Sequence, residues 1–264
     1  MLSFIKTHPL QKISQELKGD LLDMVYKNGG HIGGSLSSLD LMIAVYFSSL
    51  FNLKKDHFVL SAGHLAPSLY TVLAKAKYFP KNFLDNYSSF NSILQGHVSS
   101  EVPGVEYSSG SLGQGLSFAC GLALGDKKNT TICLTSDGEH QEGQIWESLL
   151  FAKKYKLGNL INIVDFNQMQ IDGSVSEIMP LENLAAKYIS FGWTVTTVDG
   201  HNFRQLISAL KSTIYSRRSN NSFPTCIIAK TVLGKGISFM ENNFHYHDVK
   251  NLPEVLFKQA KSEL

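Results

Sequence analysis

A carboxylate and a carboxamide in this chain offer the kind of hard oxygen donor that holds a divalent cation. Asp137 stands in Ser136-Asp137-Gly138-Glu139, and Asn167 stands in Asp165-Phe166-Asn167-Gln168-Met169. Each group follows an apolar run, which places each at the end of a predicted strand. Two such donors can converge on magnesium or calcium, and the ion then keeps water and ligand phosphates as its remaining partners. Gly138 lets a diphosphate approach the backbone, and the helix predicted just after it offers N-terminal amides to the anion. Strand-end Asp and Asn also serve as helix caps and turn formers, so the same residues have a purely structural use.

Histidines form a second set. His31 lies in Gly30-His31-Ile32-Gly33-Gly34, His64 in Ser61-Ala62-Gly63-His64, and His97 in Gln95-Gly96-His97. Imidazole binds phosphate oxygens and moves protons near neutral pH, although a histidine in a glycine turn more often holds structure. Glycines recur in Gly104-Val-Glu-Tyr-Ser-Ser-Gly-Ser-Leu-Gly-Gln-Gly-Leu116. Gly110, Gly113 and Gly115 do not follow the dinucleotide order Gly-x-Gly-x-x-Gly, and the chain has no Gly-x-x-x-x-Gly-Lys-Ser/Thr loop. A nucleotide-binding Rossmann enzyme is disfavoured on that ground.

Strands and helices alternate along the chain and must position these groups. Strands are predicted at Phe58–Ser61, Thr130–Thr135, Leu160–Val164, Thr194–Val198 and Thr225–Ala229. One helix begins near Ala66, and another carries Ile145, Leu149 and Ala152 at helical spacing. The pattern predicts an α/β fold: a mainly parallel sheet with helices on both faces. Ligands in such folds sit at the carboxyl ends of strands, here just after Leu60, Leu134, Val164 and Ala229.

The bulk properties narrow the class. A chain of 264 residues, 43% hydrophobic, can bury one large core or two small ones. A net charge of +2 with scattered Lys and Arg gives no reason to expect nucleic acid. Cys120, Cys133 and Cys226 are widely separated in apolar surroundings, which argues against a disulfide framework or a zinc site. Reduced thiols, no signal-like start and no window near the ~20 apolar residues of a membrane helix lead us to expect a cytoplasmic protein without a membrane partner.

The spacing and order of these motifs resemble thiamine-diphosphate enzymes, and transketolases encoded as two separate subunits in particular. Such enzymes carry Gly-Asp-Gly, then a little under thirty residues, then Asn; here 28 residues (139–166) separate Gly138 from Asn167. The likeness extends through Gln141-Glu142-Gly143, Trp146-Glu147, Lys156-Leu-Gly-Asn-Leu160, Gln170-Ile-Asp-Gly173 and Ala229 to His247. It implies the thiamine-diphosphate-binding fold, as one diphosphate (PP-type) domain over residues 1–264. It implies Asp137, Asn167 and Met169 as ligands of Mg2+, with Ca2+ or Mn2+ as alternatives. By the same resemblance His64, Gly110, Leu112, Asp137, Gly138, Glu139, Asn167, Ile171, Lys230 and His247 contact thiamine diphosphate, and His31, His64, His97 and His247 are catalytic. Glu142 matches an acidic residue near a subunit interface. Three positions depart from the family: Ser136 replaces the first glycine of the triplet, Val98 follows His97 where proline is frequent, and Asp248 follows His247 where glycine is usual. His245 competes with His247 for the last histidine position.

The implied reaction is transfer of a two-carbon ketol unit from a ketose donor to an aldehyde acceptor, both sugars or sugar phosphates. Full-length transketolases also need a pyrimidine domain with an activating glutamate. The resemblance places that domain on a partner, a C-terminal transketolase-like subunit, in an α2β2 assembly, and nothing after Leu252 is expected to form it. Alternatives within the cofactor class are a deoxyxylulose-phosphate synthase-like, dihydroxyacetone synthase-like or specialised sugar or ketone transferase. An alternative outside it is a non-catalytic binding or regulatory subunit, which the presence of both Asp137 and Asn167 disfavours.

Overall fold

The computed structural model describes residues 7–218 and 223–264; the reading of the chain start as lacking a leader falls largely outside the described residues. Helices α1 (His8–Asn28) and α2 (Ile32–Phe47) precede strand β1 (His57–Leu60). Then come α3 (Ala66–Lys75), α4 (Gln114–Gly125), β2 (Thr131–Ser136), α5 (Gly143–Lys154) and β3 (Leu160–Phe166). A small hairpin of β4 (Met169–Gln170) and β5 (Gly173–Ser174) leads into α6 (Val175–Ile178), α7 (Leu184–Ser190) and β6 (Thr194–Asp199). The chain ends with α8 (Phe203–Arg218), β7 (Thr225–Lys230) and α9 (Glu254–Glu263).

Five strands form one parallel sheet in the order β1-β2-β3-β7-β6. Side chains alternate across it, as the strand period requires. Phe58, Leu60, Ile132, Leu134, Ile161, Ile163 and Ile227 enter a core shared with α1, α2, α3 and α8. Val59, Cys133, Val164, Cys226 and Ile228 enter a second core with α4, α5 and α7. The α/β architecture with helices on both faces thus agrees with the sequence pattern.

Two local expectations need correction. Strand β2 ends one residue and β3 two residues beyond the predicted ends, at Ser136 and Phe166, and Ser136 pairs with Asp165. Parallel neighbours supply backbone partners whatever the side chain, so Asp165 lies inside the sheet rather than beyond it. The element directly after Gly138 is a one-turn 3-10 segment, Gly138–Gln141, and the α-helix starts only at Gly143. Asp137 caps that turn by accepting the Gly138 amide.

Close packing around α2 brings distant segments to one edge. The Gly33 carbonyl accepts from the Gly234 amide at 2.9 Å. A β-carbon on Gly33 would stand 2.6 Å from the Tyr246 carbonyl oxygen, and one on Gly34 2.8 Å from the Leu65 side chain. Gly33→Ala is therefore expected to lower stability by about 1–3 kcal/mol through overpacking. Gly121→Ala, in an α4 position with nothing within 4 Å of the new carbon, is expected to raise it by up to about 1 kcal/mol. Denaturant unfolding of both variants checks the pair.

Candidate active site

The carboxyl edge of the sheet collects the candidate residues because four parallel strands end there side by side. His64 follows β1, Asp137 follows β2, Asn167 follows β3, and Lys230 ends β7 as an exposed side chain. Asp137 is 1% exposed, and its carboxylate accepts the amides of Gly138 at 2.8 Å and Gln168 at 2.5 Å. The second contact places it against the residue next to Asn167. Burial, with the nearby Asp165, pushes the Asp137 carboxyl up to about 7. A carboxylate that desolvated gains strongly from a cation.

Asn167 is oriented by its own motif and by Ser37, which no sequence motif marks. Its Nδ2 donates to Asp165 Oδ2 at 3.2 Å and Ser37 Oγ at 3.3 Å, and its Oδ1 accepts from the Met169 amide at 2.9 Å. Asp165, fully buried, also accepts from the Ser37 hydroxyl at 2.6 Å and from the Thr231 hydroxyl. These contacts set which end of the Asn167 amide is oxygen. Only their convergence in space reveals Ser37 and Thr231, which lie 128 and 66 residues from Asp165.

The Asp137 turn rests on a buried polar chain. His140 Nδ1 donates to the Ser136 carbonyl at 2.8 Å, and its Nε2 accepts from the Tyr188 hydroxyl at 2.8 Å. The Tyr188 oxygen in turn accepts from Asn162 Nδ2 at 2.7 Å. Burial pulls the His140 imidazole down to about 4. Glu139, with no exposed surface, accepts from Ser61 Oγ at 2.5 Å, the Gly113 amide at 2.7 Å and the Ser136 amide at 3.2 Å. Both of its oxygens are thus taken up by the protein, and it acts through the loops that it ties.

Four histidines converge. Ring centres of His31 lie 5.5 Å from His64, 5.8 Å from His97 and 5.7 Å from His247, and His64 lies 5.5 Å from His247. His245 is exposed and stacks on Phe244, so His247 is the member of the group. Burial and the neighbouring rings hold His64 well below the usual imidazole range and His247 down to about 4. Among the described residues no three His, Cys, Asp or Glu side chains form a metal cage. A cation here would therefore draw on Asp137, the Asn167 amide oxygen and main-chain oxygen such as that of Met169.

The remaining candidates sit around this edge. Gly110 is exposed, with nothing within 4 Å of a notional β-carbon. The Leu112 carbonyl accepts from Gln144 Nε2 at 3.2 Å. Ile171 is 65% exposed at the tip of the β4–β5 hairpin. Glu142 is exposed beside Gly113, where a β-carbon would stand 2.7 Å from the Glu142 Cβ. Of the departures from the family pattern, Ser136 completes β2, and buried Val98 receives the Ser109 amide on its carbonyl at 3.1 Å. Two buried polar atoms at this edge remain for a ligand to satisfy. Gln170 Nε2 and His247 Nδ1 are buried without a hydrogen-bond partner, and such groups are normally satisfied. Gln170 also packs against Gly138, its Nε2 2.8 Å from where a β-carbon would stand.

Residues 12–262 match the family described as transketolase, thiamine diphosphate binding domain. The chain belongs to that transketolase family. It is 39% identical to the 6-deoxy-6-sulfo-D-fructose transketolase subunit of Clostridium sp. (strain MSTE9), over 97% of this chain and 96% of the relative. It is 36% identical to an apulose-4-phosphate transketolase subunit of Phocaeicola vulgatus, over 92% and 89%. The crystal structure of Campylobacter jejuni transketolase superimposes with a TM-score of 0.87 at 29% identity, covering 97% of this chain but 43% of that one. The chain is thus the thiamine-diphosphate-binding part of a transketolase-type transferase, with the length of the subunit relatives rather than of the longer enzyme.

In acid the buried His140 is expected to oppose folding, whereas the raised Asp137 and Glu139 carboxyls act in the opposite sense. A histidine held near 4 in the fold and near 6.5 when unfolded leaves the unfolded state binding more protons, so its own contribution to stability falls as pH drops from 6.5 toward 4. At pH 5 His140 accounts for a loss of about 2 kcal/mol relative to pH 7. His140→Gln, which keeps both hydrogen bonds without titrating, is expected to lose correspondingly less between pH 7 and 5 in denaturant unfolding.

Proposed function

We propose that this transketolase subunit transfers a two-carbon ketol unit between sugar or sugar-phosphate substrates, in complex with a second chain that carries the pyrimidine domain and its glutamate. The observation that carries the reading is the convergence of four imidazoles at the sheet edge that also holds the Asp137–Asn167 pair. Asp137, Asn167 and the main chain of Met169 would hold Mg2+, with Ca2+ or Mn2+ as substitutes, and the ion would clamp the diphosphate over Gly138. Thiamine diphosphate, when bound, supplies the carbon nucleophile that carries the ketol unit.

The chain's own residues do the rest. Gln170 and His247 offer their unpaired donors to the diphosphate end. Leu112 and Ile171 would contact the cofactor, and Gly110 would leave room for it. Lys230 balances negative charge at the end of β7. His31, His64 and His97 orient sugar hydroxyls and exchange protons with them, since imidazole does both near neutral pH. The relatives named for a sulfo-sugar and a sugar phosphate, both anionic, support a charged sugar as the substrate class. Their naming as subunits supports a partner chain, and an α2β2 assembly is the arrangement we infer. Three free buried thiols support a reducing compartment, the cytoplasm; no helix among the described residues is long and apolar enough to cross a membrane.

Co-expression with a transketolase-like partner and assay on a panel of ketoses and aldehydes tests the reaction, and absence of ketol transfer on every pair overturns it. Calorimetry on the same complex is expected to show Mg2+-dependent binding of thiamine diphosphate. Asp137→Ala should weaken that binding about 100-fold or more, beyond the ~10–100-fold cost of losing an outer-shell partner.

A further inference from the structure

His31 is the hub of the histidine group, and one carboxylate reaches it. Oδ1 of Asp248 lies 3.9 Å from His31 Nδ1, an ion-pair separation rather than a direct hydrogen bond. The contact is built in by the backbone. Gly30 and Val249 exchange amide hydrogen bonds at 2.8 and 3.0 Å, which fixes residue 248 beside residue 31 across the whole length of the chain. The Asp248 side chain is 44% exposed, so it faces water on one side and the imidazole on the other.

The groups that face His31 are the rings of His64, His97 and His247, the Asp248 carboxylate, and Tyr87 packed against Gly30. Tyr87 is pushed up to about 12 by burial and by Asp248, so it stays neutral. Asp248 is the one anion in this set. Burial lowers the proton affinity of His31, Asp248 opposes that, and His97 adds to the lowering. His64 has no carboxylate acting on it, only burial and three neighbouring imidazoles. In His247, burial and His31 outweigh Asp248.

We propose that Asp248 is a positioning residue: lying 3.9 Å from His31 Nδ1, it orients that edge of the ring, leaves Nε2 for the bound ligand, and favours the protonated form of His31. The glycine that the family resemblance leads one to expect would leave His31 with no acidic neighbour. The assignment deepens the reading of this edge as a proton-exchanging site and rests on it for its role in catalysis, but the ion pair is testable without turnover.

The test is a pH titration of the full chain by NMR, following the His31 ring resonance, identified by its loss in His31→Gln. In Asp248→Asn, which keeps side-chain size and the Gly30–Val249 bridge, the His31 midpoint is expected to move to lower pH, because an anion that favoured the protonated ring is gone. An unchanged midpoint overturns the proposal. In the assembled enzyme, the pH profile of kcat/KM is expected to move to lower pH in Asp248→Asn and to return toward wild type in Asp248→Glu. Lower activity at an unmoved profile would mean a merely structural residue and likewise overturns it. If no complex shows ketol transfer, the enzyme reading fails while the NMR titration still decides the ion pair.

Discussion

One buried carboxylate ties together the parts of the chain that bear chemistry. Glu139 has no exposed surface, yet it accepts from the end of β1 at Ser61, from the glycine loop at Gly113, and from the end of β2 at Ser136. Burial raises its carboxyl to about 7, so desolvation costs it more than these three donors return. Such a group adds little to stability by itself. Its effect is to hold the glycine loop against the strand ends at a fixed spacing. A ligand that needs contacts from both can then find them already in place.

Asp165 does the same work one strand over. It sits inside β3, where a parallel sheet would ordinarily place an apolar side chain, and gathers Ser37 of α2, Thr231 after β7 and the Asn167 amide. The result is an Asn167 whose oxygen end is held in one direction. Asp137 meets the adjacent residue through the Gln168 amide. Asp137 and Asp165 repel each other, and three buried acids at one edge are costly without a counter-charge. That is the electrostatic form one expects of a site shaped for a cation and the anion it carries.

The crossing segment after β7 completes the edge from the other side. Gly29 and Gly30, both with positive φ, turn the chain out of α1 so that Gly30 can pair with Val249. Gly33 then lets residues 233–246 lie directly on α2. His31 and His247, more than two hundred residues apart, meet because this packing admits no side chain between the two segments. The proximity of Asp248 to His31 is a further product of that contact.

Residue order alone carried the fold class, since the alternation of apolar strands and amphipathic helices leaves a covered parallel sheet as the solution that buries both. It also pointed to the carboxyl edge, through Asp137, Asn167 and the glycine-flanked histidines. Strand ends were not legible, because Ser136, Asp165 and Phe166 pair through their backbones in a ladder that the side chains do not announce. Nor were the supports of the site, among them Ser37, Thr231 and Tyr188. A hydroxyl or a carboxylate acquires its role from what lies opposite it, and the partners come from segments that only folding brings within hydrogen-bonding distance. The choice of His247 over His245, and the pairing of Asp248 with His31, were decided by the Gly30–Val249 bridge, a contact between the two ends of the described chain.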